Sequence, residues 1–321
     1  MKLSLPILPA VALGVLIAIG GGLLVARHRA AAPPAASAPP AAPQTAPPIV
    51  PTRAASTPTE PAPPIEAGLL LAQAARQLAS HDSVTAKVNL TSDFFGESLV
   101  ATGQYLQGSR DSRRLRMDLK VQLGEKVCTL QHVCDGQAVW IRRTTLTQTF
   151  LGRVDLPRAL AGLQQAGYQP GTDVLALGGL PLLLDSLGRA VDFRAMRSEQ
   201  LRRQPTFVIV GAWKNSLLVH FAPDQKQAIE SGVPADLTRL PALVPNQIEV
   251  FIGRDDLFPY KIEFLHVAVP GTCRDEEVLA SVKFNEVHFD IPIDAREFAF
   301  PTGDIVPIDE TQAFIDRAKV R

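Results

Sequence analysis

The residues from Arg113 to Leu123, RRLRMDLKVQL, decide the fold class. Leu115, Met117, Leu119, Val121 and Leu123 alternate with Arg114, Arg116, Asp118, Lys120 and Gln122, the period-two pattern of a strand with one face buried and one wet. Gly108-Ser109 precedes this strand, Gly124-Glu125 follows it and Asp135-Gly136 comes next, all turn-forming pairs, so the run from Glu97 to Phe150 reads as an antiparallel meander. Strands are expected at about 97–107, 113–123, 126–133, 138–143 and 147–154. With connections this short, sequence neighbours pair in the sheet.

Upstream, Leu70, Leu71, Ala74, Ala75 and Leu78 recur at helical spacing, and Ser83 to Phe94 alternates again. Downstream the alternation stops. Asp155-Leu156-Pro157 opens a helix with Leu156, Leu160 and Leu163, and Val174 to Val191 is then apolar on nearly every side. The Gly and Pro residues break it into pieces too short to span a bilayer. A segment apolar all round must be buried or face something apolar, so it is expected either to plug the hollow of the sheet or to act as a lid over it. Strands are expected again at 206–213, 216–221, 247–253, 259–267 and 278–287, with a closing strand near 298–300 and hairpin turns at Lys214-Asn215 and Arg254–Asp256. About eleven strands exceed what a flat sheet carries and call for a curled one. The tail ends in a short amphipathic helix with Phe314 and Ile315.

At the amino terminus Leu3 to Ala26 is an apolar run long enough to cross a membrane, flanked by Lys2 and by Arg27, His28 and Arg29. Its length and basic end favour a retained anchor over a cleaved signal. Residues 31–65 form a Pro/Ala tract with hardly any charge, which favours extended polyproline and serves as a spacer. The expected organisation is therefore 1–30 anchor (or uncleaved signal), 31–65 disordered linker and 66–321 folded domain. Proline-rich tracts and antiparallel sheets are common outside the cytoplasm, so the domain is expected in the periplasm or at the cell exterior. Cys128 is the first cysteine, so lipidation directly after the apolar run is not expected.

The 321 residues carry a formal net charge of zero, which argues against nucleic acid as a partner. Cys128 and Cys134, six residues apart on one strand, lie about 20 Å from each other and cannot bridge. Cys273 is open to either; a disulfide through it and buried free thiols both remain, and an odd count leaves one thiol over. No zinc spacing, phosphate loop, dinucleotide fingerprint or nucleophile elbow is present, so neither metal nor cofactor nor enzyme activity is expected. Asp275-Glu276-Glu277 reads as a solvated turn, and Asp304 and Asp309 as turn and capping residues. Arg113, Arg114, Arg116, Arg142 and Arg143 are the basic residues available to anionic headgroups or an acidic partner.

The closing residues VKFNEVHFDIPIDAREFAFPTGDIVPID complete a pattern: Asn285 in a strand, Pro292-Ile293-Asp294 in a turn, then Phe298, Phe300, Pro301 and Asp304. With one leading helix and a curled sheet interrupted by apolar helices, this resembles the outer-membrane lipoprotein-sorting (LolA-like) proteins and the lipoprotein carrier superfamily over about 65–321. The resemblance implies a mainly β (α+β) fold, a curled antiparallel sheet forming a half-open β-barrel with an N-terminal helix and an apolar helical lid or insert. It also implies a hollow that takes lipid or acyl chains. The candidate pocket and lid residues are Leu115, Met117, Leu119 and Trp140 on the sheet, and Leu177, Leu180, Leu183, Leu184 and Leu187 on the insert. The expected function is a membrane-tethered, exported, non-catalytic lipid- or lipoprotein-binding module. The alternative is an envelope protein-interaction or sensor module whose hollow is filled. The Pro tether and the unusually apolar insert depart from a freely diffusing carrier.

Overall fold

The computed structural model describes residues 64–94, 97–165, 175–241, 244–267 and 277–319. The apolar run at 3–26, the Pro tract up to residue 63, Cys273, Asp275 and Glu276 lie outside them. Among the described residues no helix is long and apolar enough to cross a membrane.

Helix α1 (Pro64–Ser80) leads into a meander of β1 (Ser83–Phe94), β2 (Glu97–Gly108), β3 (Arg114–Leu123), β4 (Lys126–Asp135), β5 (Ala138–Thr144) and β6 (Thr149–Asp155). Helices α2 (Leu156–Gln165) and α3 (Leu175–Ala190) follow. The chain then re-enters the sheet as β7 (Val191–Leu201) and β8 (Gln204–Trp213), passes through α4 (Asn215–Phe221) and α5 (Lys226–Glu230), and returns as β9 (Gln247–Gly253), β10 (Pro259–His266) and β11 (Glu277–Phe289). A two-residue β12 (Ile308–Asp309) and α6 (Thr311–Lys319) end it. The sheet has 12 strands in the order β12-β6-β5-β4-β3-β2-β1-β11-β10-β9-β8-β7. β11 returns to the free side of β1, so two meanders fuse into one curled, unclosed sheet, antiparallel except where β12 runs parallel to β6.

Register carries one face across the strands. Val88, Gly103 and Leu119 stand side by side, as do Ala86, Tyr105 and Met117, and then Val84, Gln107 and Leu115. All of these but Gly103 are buried, and β11 extends the same face through Val282 and Phe284. On α1, Ala67, Leu71, Ala74 and Leu78 fall three or four apart on one stripe and are at most 2% exposed. That stripe packs on α3 and on the edge strand β7. At roughly 2 kcal/mol per fully buried leucine, these contacts hold the helices in the hollow of the sheet.

Three expectations need correcting. Ser216 to Phe221, expected as a strand after a Lys214-Asn215 turn, is helix α4: Lys214 is extended at its N-cap, and Leu218 and Phe221, three apart, are both buried. The Trp213 ring meets Phe221 edge-on at 5.8 Å, a contact that the helical turn permits. The closing strand near Phe298–Phe300 is instead a 3-10 turn, Ala295–Phe298, capped by the Asp294 carboxylate, which accepts the Arg296 N–H at 2.9 Å. Strand β7 was not foreseen at all.

Candidate functional site

Helix α3 is broken near its start. Gly179 has φ 65 and ψ −159, and Pro181 follows within two residues. Proline supplies no N–H and the glycine interrupts the helical ladder, so the Leu180 N–H needs another acceptor. It donates to the Tyr105 hydroxyl at 2.9 Å, and that hydroxyl donates in turn to Gln107 Oε1. A Cβ on residue 179 would lie 2.6 Å from both of those oxygens and 3.1 Å from Leu115 Cδ1. Only glycine lets the insert approach the sheet this closely while holding a positive φ. Burial raises the Tyr105 pKa strongly, against a smaller lowering from the Leu180 N–H, so the phenol is neutral and available as donor and acceptor together.

Past the break, Leu180, Leu183, Leu184 and Leu187 are at most 3% exposed and plug the middle of the hollow. Beside the break a cavity of about 590 Å³ is left between α1, the β2–β3 turn, α2 and α3. Its inner wall is Ala72, Ala75, Ala79, Leu115, Leu160, Leu163, Pro181 and Leu182. Its rim is basic: Arg76, Arg110, Arg113 and Arg114 line it, all exposed, and none makes an ion pair among the described residues. Among the described residues the lining holds one carboxylate, Asp185, and it is paired with Arg189 one turn on. The β2–β3 turn is held by its own bonds, with Ser112 N–H and Oγ both donating to the Ser109 carbonyl at 3.1 and 2.7 Å.

Of the residues singled out from the sequence, Leu115 lines the cavity. Met117 and Leu119 lie beneath the insert on the same face, and Leu180, Leu183, Leu184 and Leu187 are core. The Leu177 side chain lies outside the described ones. Trp140 does not join them. Register sets it beside Val133 and Arg153 on the opposite face, where it stacks on Phe300 at 5.6 Å. The five-arginine patch does not form as one either: Arg116 pairs with Asp118 at 2.7 Å, and Arg143 sits 4.5 Å over the Phe150 ring. Arg142 lies beside Gln131, a neighbour of Asp118, on the outer face. Sequence reasoning missed Arg76 and Arg110. The signal available for Arg110 was its place in the self-bonded turn GSRDSR at 108–113, beside Arg113.

His132, level with Met117, is 2% exposed and neither ring nitrogen has a hydrogen-bond partner. Burial first, and the Arg143 charge second, lower its pKa to about 4. Cys128 and Cys134 are free thiols on the same strand, each with a pKa raised first by burial. Among the described residues no three His, Cys, Asp or Glu side chains stand together as a metal site.

No protein-family model matches the sequence, and no curated protein matches it. Solved structures do. The chain is similar to the lipoprotein LppX of Mycobacterium tuberculosis, with 11% identity and a TM-score of 0.37 over 72% of this chain and 98% of that one. It is similar to the MucA/MucB complex of Pseudomonas aeruginosa, with 11% identity and a TM-score of 0.36 over 74% of this chain and 62% of that one. A lipoprotein-sorting domain is among them. That putative outer membrane lipoprotein-sorting protein domain, from Vibrio parahaemolyticus, has 10% identity and a TM-score of 0.30 over 73% of this chain and 96% of its own.

Proposed function

We propose that the chain is a non-catalytic module that takes an acyl chain, free or on a lipidated protein, into the cavity beside the break in α3. The observation that carries this reading is the cavity itself: about 590 Å³ with an alanine- and leucine-lined interior, in the size range of small-ligand pockets, roughly 300–1,000 Å³. The Gly179–Pro181 break supports a second part of the proposal, that the first turn of α3 serves as the lid while Leu180 to Leu187 stay as the plug. The apolar run at 3–26 and the Pro tract after it support a tethered module held off a membrane on the exported side, with 1–30, 31–65 and 66–321 as anchor, spacer and binding domain. An envelope protein is then a natural second partner.

The test is uptake of a fluorescent sixteen-carbon fatty acid by delipidated full-length protein. Ala75→Trp, which fills the cavity from the half-buried face of α1, is expected to weaken uptake about tenfold while the protein keeps its cooperative unfolding transition. Equal uptake by parent and Ala75→Trp would contradict the assignment of the cavity.

A further inference from the structure

The geometry points to an anionic headgroup site at the mouth of the cavity, which makes the ligand a single-chain amphiphile with a phosphate or carboxylate end; this inference rests on the acyl-binding reading above. Four arginines line the cavity, Arg76 from α1, Arg110 and Arg113 from the β2–β3 turn, and Arg114 from the start of β3. The chain as a whole is neutral, and its described arginines elsewhere are commonly paired: Arg116 to Asp118, Arg158 to Asp309, Arg197 to Glu249 and Arg239 to Asp224. Among the described residues the rim arginines have no ion-pair partner, and the one described carboxylate in the rim is already engaged by Arg189. Unpaired guanidinium groups gathered beside an apolar cleft create a local positive potential that favours an anion entering head-outward.

Arg113 stands in the turn itself. Its φ is 50, a left-handed conformation that glycine or asparagine adopts more cheaply. The turn nonetheless places an arginine there and presents it to the cavity. A guanidinium fork also suits the two or three oxygens of a phosphate or carboxylate better than it suits a choline or a hydroxyl. Beneath the rim, Leu160, Leu163 and Leu182 lead the chain inward.

The experiment compares binding of lysophosphatidic acid, lysophosphatidylcholine of the same chain length and inorganic phosphate to the full-length protein. The phosphate-ended lipid is expected to bind at least about tenfold more tightly than the choline-ended one, with the difference shrinking as salt is raised. Arg110→Ser combined with Arg113→Asn, which keeps a residue tolerant of the left-handed backbone, should remove that preference by weakening lysophosphatidic acid binding at least about tenfold more than lysophosphatidylcholine binding. Equal binding of the two lipids by the parent overturns the headgroup site while sparing the cavity. Binding of neither lipid overturns both. Inorganic phosphate that binds as tightly as the phosphate-ended lipid overturns the amphiphile and leaves a simple anion site.

Discussion

The Tyr105 hydroxyl accepts the backbone N–H of Leu180 at 2.9 Å, tying the sheet to the insert at the point where helix α3 is broken. Tyr105 is 1% exposed and Leu180 fully buried, so water cannot replace either partner. Tyr105→Phe strands the Leu180 N–H and a Gln107 oxygen together. A loss of about 2 kcal/mol in urea unfolding is expected, with acyl uptake altered because the cavity wall at Gly179 is released.

Gly179→Ala tests the same junction from the other side. The new methyl meets two oxygens at 2.6 Å on a backbone with φ 65. A cost of about 2 kcal/mol or more follows, larger than the roughly 1 kcal/mol gain an alanine gives within a regular helix. A stabilised Gly179→Ala protein would show that the break is not what the contacts indicate.

His132 gives the fold an acid-sensitive point. Its folded pKa of about 4 lies below the ordinary 6.5, so below that ordinary value the unfolded chain binds the extra proton. Stability from this group is complete above pH 6.5 and is lost as pH falls towards 4, by roughly 3 kcal/mol. His132→Leu should flatten that part of the pH dependence, read as urea midpoints at pH 7 and pH 4.5. An unchanged slope would mean that the imidazole is wetter than its 2% exposure implies.

The edge strand β7 is tied to β9 across β8 by Arg197, which donates to both oxygens of Glu249 at 3.1 and 2.6 Å. The glutamate side chain is 7% exposed and the arginine 37%, so the glutamate suffers more when the pair is broken. Arg197→Met should destabilise by about 2 kcal/mol, and the double variant Arg197→Met with Glu249→Leu by less, as thermal melts of both would show.

The alternation that made β3 legible also made β1, β2 and β4 to β6 legible, because each has one dry face and short turns. β7 escaped because VDFRAMRSEQL mixes charge into both faces, as an edge strand can when only one side is paired. SLLVHF was read as a strand because a short apolar run has no decisive period; Leu218 and Phe221 show their helical spacing only once Trp213 is in place to receive them. Trp140 was placed among the pocket residues of the sheet. Register with Val133 and Arg153 puts it outside, under Phe300, a partner that lies far away in the chain. The leucines of the insert were identified as apolar, but sequence could not separate plug from cavity wall. That division is made by Gly179 and Pro181, and the arginine rim by a turn and a helix that meet only in the folded chain.

The central claim is that the cavity beside the break in α3 holds an acyl chain. A fatty acid carrying a diazirine at its terminal carbon, bound to the full-length protein and photolysed, reports where that chain ends. Cross-links are expected on the peptides bearing Leu160, Leu163 and Leu182, and they should vanish in Ala75→Trp. Cross-links confined to residues 1–30, or spread evenly and indifferent to Ala75→Trp, would contradict it.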